Sequence, residues 1–269
     1  MITRTVVMRA VRTVVFTLAL PCLLVAVWWV ASDSSTSVYA PPLRTILSRF
    51  DDVWTADRIR GDVVPSLLRL AAGYASAAVA GVVLGVGIGL SRTARAVCEP
   101  ALEFLRAVPP PVLVPVIMLF AGIGDTMKIA VIASGCVWPV LLNTVAGVRA
   151  VDPVATETAR AYGVRGAAWL RSLVLPSASP QIFTGLRQAL SIGVILMVIS
   201  EMFAASNGLG YAVVQFQRGF AIPEMWTGIL VLGLLGVVLA LLFTLVERRA
   251  LAWYHRSRGA RRKAGSGGA

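Results

Sequence analysis

The stretch that decides the fold is LLRLAAGYASAAVAGVVLGVGIGL, from Leu67 to Leu90. It is long and apolar enough to cross a bilayer as one helix, for which about 20 apolar residues are needed. Gly81, Gly85 and Gly89 recur at every fourth position, so they share one face of that helix. A face of small residues lets a second helix approach closely. The stretch therefore predicts a membrane helix that packs tightly against another one.

These glycines have a rival interpretation as a nucleotide-binding loop. Such a loop needs a strand before the glycines and a helix after them, and the sequence offers no such context. A phosphate loop also needs a Gly-Lys pair. The two lysines of the chain, Lys128 and Lys263, follow Met127 and Arg262. We therefore expect this chain to bind no nucleotide and no cofactor of its own.

The whole chain has the composition of a membrane domain. Of its 269 residues, 57% are hydrophobic and 14% are charged, and the mean hydropathy is +0.79. Five further apolar windows occur at about residues 13–31, 112–123, 129–148, 179–205 and 226–246. They lie too close together to leave room for soluble domains between them. We predict an all-α integral membrane domain of six transmembrane helices over residues 13–248, preceded by segment 1–12 and followed by a basic tail, 249–269.

The first window could also be a signal peptide, because three arginines precede it. Its apolar run is longer than the core of about 7–15 residues that signal peptides have. LALPC, Leu18–Cys22, resembles a lipoprotein cleavage box, but Pro21 and the apolar residues after the cysteine argue against processing. A retained helix is the favoured interpretation.

The net charge of +12 indicates orientation in a membrane rather than binding to nucleic acid. The basic residues lie in short clusters that flank the apolar windows instead of forming one polar face. One side of the six predicted spans has few of them outside the windows: Arg44, Arg49, Arg58, Arg60, Lys128 and Arg218. By the positive-inside rule, both termini and the loop at 149–178 are predicted to be cytoplasmic.

The loop at 149–178 is predicted to contain a short helix. The Asp152-Pro153 pair is a strong helix start, because aspartate caps free amides and proline fits the first turn. Gly163 is a natural stop. Three residues between them recur at every fourth position and give a weakly apolar face: Val154, Thr158 and Tyr162. By periodicity alone, this could be a capped loop lying on lipid headgroups.

The rest of the loop predicts a second short helix over about residues 167–175, ended by Pro176. The fifth span would then begin with Ser179 as N-cap and Pro180 in the first turn. Its end is predicted at the Asn207-Gly208 pair.

The spacing within the loop resembles the EAA loop of the permease subunits of bacterial ABC importers. The family pattern is E-A-A, three residues, G, nine residues, I-x-L-P. The matching residues here are Glu157, Thr158, Ala159, Gly163, Leu173, Leu175 and Pro176. Thr158 replaces the middle alanine and Leu173 replaces the isoleucine. The resemblance covers about residues 65–253 and is closest to the nitrate, sulfonate and taurine branch, with similar segments such as EPALEFLRAVPPPVLVPVIMLFAGIGD and EMFAASNGLGY.

The resemblance implies a type I ABC importer permease fold in a bacterial inner (cytoplasmic) membrane. It also implies partners: an ABC ATPase dimer that carries ATP and Mg, an extracytoplasmic solute-binding protein, a second copy of this chain in a homodimer, and membrane lipid. In the family the loop forms a coupling helix that docks on the ATPase, so the seven loop residues would form or support that contact. The implied cargo is a small anionic solute such as an aliphatic sulfonate, taurine or a nitrate-like ion. A vitamin precursor or an aromatic acid is the alternative within the branch.

Three residues near the outer end of the fifth window are candidates for the translocation pathway or a gate. Glu201 lies where a carboxylate is costly unless it faces protein or a water-filled path, and a simple interfacial position is its alternative. Met197 and Met202 suit either an apolar pathway or packing.

Other function classes fit the sequence less well. A secondary transporter predicts paired charges in mid-membrane, and the predicted spans have almost none. An intramembrane enzyme needs a catalytic constellation, but the single histidine, His255, lies in the basic tail. Neither a His-Ser arrangement nor a metal-ligand cluster occurs in the sequence. We predict a subunit with no catalytic and no metal-binding residues, and a membrane scaffold stays open as an alternative.

Overall fold

The computed structural model describes residues 19–203 and 205–254, and every regular element in these ranges is a helix. In chain order they are α1 (Ala19–Asp33), α2 (Leu43–Ser48), α3 (Phe50–Val53), α4 (Ala56–Leu90), α5 (Arg92–Ala107), α6 (Val114–Ala121), α7 (Asp125–Arg149), α8 (Pro153–Ala161), α9 (Gly166–Met202), α10 (Leu209–Arg218) and α11 (Ile222–Ala250). A 3-10 turn, Pro110–Leu113, precedes α6, and π-helical turns lie within α4 and α9, at Ile59–Val63 and Leu170–Val174. The all-α prediction is confirmed.

Four of these helices, α4, α7, α9 and α11, are long and apolar enough to cross a membrane. A fifth candidate is the pair formed by α5 and Pro110–Ala121, which is bent by 84°. The bend falls at the proline run 109–111, because each proline lacks an amide donor and disfavours a helical conformation of the residue before it. The described residues therefore contain four or five candidate spans, whereas the sequence predicts six. The first predicted window lies partly outside the described residues, and its described part is the shorter apolar helix α1.

The chain divides into two compact units: Met1–Ile59 with Ala212–Val231, and Arg60–Tyr211 with Leu232–Ala269. In the first unit, two tryptophan indoles connect distant parts of the chain. Trp54 Nε1 donates a buried hydrogen bond of 2.9 Å to Thr227 Oγ1. Trp226 Nε1 donates to the backbone oxygen of Tyr39 at 3.0 Å. These bonds tie the segment after α1 to the first turns of α11.

The second unit is built on close contact between α4 and α7. Three glycines of α4 each face one α7 side chain so closely that an added Cβ would lie under 3.0 Å from it: Gly81 faces Val140, Gly85 faces Thr144 and Gly89 faces Val148. This confirms the glycine face predicted for the opening stretch. Because both partners advance by four residues at each step, the two helices run parallel.

Two parallel helices in succession require the chain to return between them. The end of α4 meets Val148, whereas α7 begins beside Arg69, whose guanidinium lies 2.7 Å from the Asp125 carboxylate. From Arg69 to Gly89, α4 is about 30 Å long, which is the thickness of the hydrocarbon core of a bilayer. The bent pair of α5 and Pro110–Ala121 therefore carries the chain back along the length of α4.

The third major helix, α9, runs antiparallel to α7. Gly185 of α9 lies against the backbone of Pro139, with an added Cβ 2.6 Å from its oxygen. Further along α9, Gly193 lies against Cys136, whose buried thiol donates to the oxygen of Ala189 at 3.2 Å. The cysteine thus packs within the contact between α7 and α9.

The start of α4 differs from the prediction. The helix begins at Ala56, not near Leu67, and includes charged residues that precede the apolar stretch, such as Arg60 and Asp62. Hydropathy detects only the apolar part of a helix, whereas the backbone can remain helical through charged turns. The same reason explains why α7 begins at Asp125, four residues before its predicted window.

The start of α9 also corrects the prediction. A single helix runs from Gly166 through Pro176 and Pro180, so the separate helix at 167–175 and the new start at Ser179 are both wrong. The π-helical turn Leu170–Val174 ends two residues before Pro176. Its hydrogen bonds join residues five apart, so the four-residue pattern that a proline interrupts is absent there. Ser179 Oγ donates to the oxygen of Pro176 at 2.8 Å instead of capping a helix. The loop at 149–178 therefore includes the first turns of a span.

Replacing Gly85 by valine should destabilise the protein, whereas Gly87→Val should not. A Cβ at Gly85 would lie 2.6 Å from Thr144 Cβ and 2.9 Å from the oxygen of Leu141, while a Cβ at Gly87 would meet no other part of the described chain within 4 Å. Overpacking of this kind costs about 1–3 kcal/mol. The midpoint of thermal unfolding in detergent compares the two variants, and equal losses would contradict the close α4–α7 contact.

Candidate functional site

The predicted start of the loop helix is confirmed. Helix α8 begins at Pro153, and the Asp152 carboxylate accepts a hydrogen bond of 2.9 Å from the amide of Val154. The aspartate therefore satisfies an amide that would otherwise lack a partner at the helix start.

The end of α8 is a Schellman motif, the hydrogen-bonded turn that closes many helices. The amide of Gly163 donates to the oxygen of Arg160 at 3.0 Å, and the amide of Val164 donates to the oxygen of Ala159 at 2.9 Å. Gly163 has a φ of 73°, in the left-handed region where a side chain is disfavoured. The glycine of the EAA-like pattern is thus the residue that ends the helix, six positions after Glu157.

Helix α8 presents its predicted face to the outside of the described chain. Val154 is 68% exposed and Tyr162 is 83% exposed. Glu157 and Thr158 are also exposed, and Thr158 Oγ1 donates to the oxygen of Val154 at 2.8 Å. A nine-residue helix that is closed at both ends and exposes an apolar ring is suited to contact another protein.

The second half of the EAA-like pattern lies at the start of α9. Leu173, Leu175 and Pro176 are all partly buried there. Val174, which lies between the two leucines, is fully buried. It packs with Val148, Ala178 and Ile182 in one apolar cluster. Sequence reasoning missed Val174, although it lies between the two pattern leucines. This cluster fixes the exit of the loop against the end of α7.

Glu201 lies at the far end of α9 and is completely buried. Its Oε1 accepts hydrogen bonds from Ser66 Oγ at 2.7 Å and from Arg69 Nη1 at 2.9 Å. Its Oε2 accepts one from the amide of Gly210 at 3.0 Å. A buried carboxylate needs such partners, because an isolated charge in an apolar interior is very costly.

Arg69 is the centre of this buried polar cluster and is only 4% exposed. Besides Glu201, its guanidinium contacts Asp125 at 2.7 Å and donates to both the backbone and the side-chain oxygen of Asn207. Lys128 is similarly buried, with 3% exposure, and its Nζ lies 3.7 Å from the same Asp125 carboxylate. The cluster connects α4, α7, α9 and the segment that leads into α10.

The buried cluster also caps α10. The amide of Gly208 donates to Asp62 Oδ1 at 3.0 Å, and the amide of Leu209 donates to Ser66 Oγ at 2.9 Å. With the bond from Gly210 to Glu201, three successive amides find partners on α4 and α9. The predicted end of the fifth span at Asn207-Gly208 is therefore wrong. Helix α9 ends at Met202, and Asn207-Gly208 lies directly before the start of α10.

Sequence reasoning missed Arg69, Asp125 and Lys128, although one signal was available. Arg69 is a charged residue inside the opening stretch, and a charge within a predicted span indicates a partner in the protein. The expectation that the spans have almost no paired charges is therefore wrong at this end. Among the described residues, no group of three His, Cys, Asp or Glu side chains is arranged to hold a metal ion.

The candidate pathway residues occupy different surroundings. Met197 is fully buried and Met202 is 43% exposed. A separate cleft of about 480 Å³ lies between α7, α9 and the proline run, and Trp138 and Arg106 are among its lining residues. Neither Glu201 nor the two methionines line this cleft, so the pathway role of all three stays a prediction.

Several apolar spans, joined by an exposed, capped helix of EAA-like spacing, define a multi-pass transport permease. Residues 77–251 match the family described as the binding-protein-dependent transport system inner membrane component, and the chain belongs to that family. This confirms the resemblance on which the sequence-based expectations rest.

Relatives of known name place the chain within one branch of such permeases. It is 29% identical over 245 residues to a permease of Bacillus subtilis (strain 168) named for aliphatic sulfonates, covering 90% of this chain and 88% of that one. It is 29% identical over 250 residues to the taurine transport system permease protein of Escherichia coli (strain K12), covering 90% and 91%. A chain of the MetNI methionine ABC transporter, in an inward facing conformation, has the same fold, with a TM-score of 0.55 and 21% identity over 72% of this chain and 94% of that one.

Proposed function

We propose that this chain is the non-catalytic transmembrane subunit of an ATP-driven importer in a bacterial cytoplasmic membrane. It works as a homodimer, and ATP and Mg bind to a separate ATPase pair. It has six spans, with both termini in the cytoplasm. The parallel course of α4 and α7 supports a crossing by the bent pair, and the apolar α1, which precedes these helices in the chain, is the proposed first span.

The observation that carries the proposal is the capped helix α8 with its exposed Tyr162. A short rigid helix transmits displacement better than a flexible loop, because its two caps and the Val174 cluster fix it at both ends. An ATPase can shift a permease between inward-open and outward-open states only by contacting the two states differently. Helix α8 is proposed to be that contact, with Glu157, Thr158 and Ala159 at or beside it.

The proposed solute is a small anion, such as an aliphatic sulfonate, taurine or a nitrate-like ion, delivered by an extracytoplasmic binding protein. The names of the two relatives support this class. Glu201, Met197 and Met202 are kept as proposed pathway or gate residues. Thermal shifts of the binding protein over a panel of anions would identify the cargo, because a ligand that binds only the folded state raises its stability with concentration.

Replacing the exposed Tyr162 by serine should weaken binding of the ATPase. Aromatic residues at the centre of an interface often contribute about 2 kcal/mol or more, which corresponds to roughly a thirtyfold rise in Kd. The matched control is Tyr39→Ser, which removes a tyrosine that is 69% exposed in the other unit. Both Kd values can be measured with the purified full chain in nanodiscs. If the two variants bind the ATPase equally well, α8 is not the docking element.

A further inference from the structure

A polar cavity of about 370 Å³ lies where the end of α4, the start of α5, the end of α7, α8 and the start of α9 meet. Its lining includes three arginines: Arg92, Arg95 and Arg149. Within the described chain, no aspartate or glutamate lines it. The neighbouring carboxylate of Asp152 is already used as the N-cap of α8. The cavity is therefore strongly positive.

Two hydrogen-bond donors of the lining residues are buried and lack acceptors among the described residues. They are Nε of Arg95 and the indole Nε1 of Trp169. Buried donors nearly always have a partner, because leaving one without an acceptor costs its hydration. Both residues line the same cavity, so small side-chain movements there would let an acceptor in the cavity bind them.

The simplest alternative is that the arginines only cap helix ends. The C-terminal carbonyls of a helix attract cations, and Arg95 Nη2 does donate to the oxygen of Gly89 near the end of α4 at 3.1 Å. That bond leaves Arg95 Nε and the Trp169 indole without acceptors. Arg149, in the last turn of α7, fits this alternative, but Arg92 does not, because it lies at the start of α5, where the helix dipole disfavours a cation.

We propose that this cavity binds a compact oxyanion, a phosphate or sulfonate group, through Arg95, Arg149 and the indole of Trp169. An arginine fork matches two oxygens of such a group, and an indole donates one further hydrogen bond. The headgroup of an anionic phospholipid and a free oxyanion share this chemistry. Both are available at the arginine-rich side of the membrane.

The position of the cavity gives the ligand a structural role. Thr156, which lines it, belongs to α8, whereas Gly89 and Val148 belong to the ends of α4 and α7. A bound oxyanion therefore stabilises α8 against the two helices that it must move if it couples to an ATPase. The binding site itself does not depend on the proposed transport function.

The first experiment titrates the purified full chain, in uncharged detergent, with inorganic phosphate at constant ionic strength. We expect a saturable rise in the midpoint of thermal unfolding and a change in tryptophan fluorescence that Trp169→Phe removes. Arg95→Gln should raise the apparent Kd at least about tenfold, because it removes a charged hydrogen-bond donor. Arg149→Gln, at an exposed position, tests the same site if Arg95→Gln fails to fold. Arg171→Gln is the control, an exposed arginine of the same loop outside the lining.

The second experiment compares nanodiscs of phosphatidylcholine with nanodiscs that also contain phosphatidylglycerol. Stabilisation by phosphate in detergent identifies a free oxyanion as the ligand. Stabilisation by phosphatidylglycerol alone, sensitive to Arg95→Gln or Arg149→Gln, identifies a lipid headgroup. The site is overturned if neither probe stabilises the protein, or if Arg171→Gln reduces the effect as much as the variants of the lining arginines.

Discussion

Arg69→Met should lower the stability of the folded chain by about 3–5 kcal/mol, the cost of leaving one partner of a buried ion pair without the other. Arg69 and Glu201 are 4% and 0% exposed, so water cannot replace the lost guanidinium. The variant also removes the donor that Arg69 supplies to Asn207 and leaves Asp125 with only its longer contact to Lys128 among the described residues. The midpoint of thermal unfolding in detergent, together with the yield of monodisperse protein, measures the loss.

The control for this prediction is Arg106→Met, which breaks an ion pair whose side chains are 54% and 57% exposed. Such exposed pairs contribute at most about 1 kcal/mol, so this variant should remain close to the parent. In the Arg69→Met background, Glu201→Gln should recover part of the stability, since a neutral amide is easier to bury than an unpaired carboxylate. Strictly additive losses in the double variant would show that the two residues do not interact.

The membrane helices could be predicted from the sequence because their signal is local. The glycines at 81, 85 and 89 share a face by spacing alone, and the structure places them against Val140, Thr144 and Val148. The capped helix at 153–161 was equally accessible, since Asp152 and Gly163 act through backbone groups only a few residues away. Both features follow from chain geometry rather than from distant contacts.

The buried polar cluster could not be predicted in the same way. Ser66, Asp125 and Glu201 are separated by many residues, and only the packing of α4, α7 and α9 brings them together. Asp125 and Lys128 both precede the predicted window at 129–148, and nothing in the local sequence shows that Lys128 is nearly fully buried. A charge inside a predicted span shows that a partner exists, but it does not show which residue the partner is.

Prolines caused the error at the start of α9, because their effect depends on the turn in which they lie. Pro176 and Pro180 were expected to separate two helices, yet α9 continues through both. At the proline run 109–111, by contrast, the chain bends by 84° between α5 and Pro110–Ala121. The difference is the π-helical turn before Pro176, which sequence periodicity does not reveal.

Gly163→Asp is expected to abolish coupling between this chain and its ATPase. The residue ends α8 with a φ of 73°, a left-handed conformation that costs most side chains about 1–2 kcal/mol but asparagine and aspartate less. An aspartate there also places a negative charge beside the carbonyl end of the helix, which is unfavourable by about 0.3–1 kcal/mol. Because an added Cβ would meet no described residue other than its chain neighbours within 4 Å, the effect acts on the end of α8 and not on the packing of the spans.

Three measurements separate this effect from simple misfolding. The Gly163→Asp chain should unfold at nearly the parental temperature, yet it should no longer co-purify with the ATPase or stimulate its hydrolysis of ATP. Gly163→Asn is the matched control, since asparagine has the shape of aspartate, tolerates a positive φ and adds no charge. It should keep most of the coupling. Uptake and ATP hydrolysis that stay coupled in Gly163→Asp would show that α8 does not transmit the motion of the ATPase.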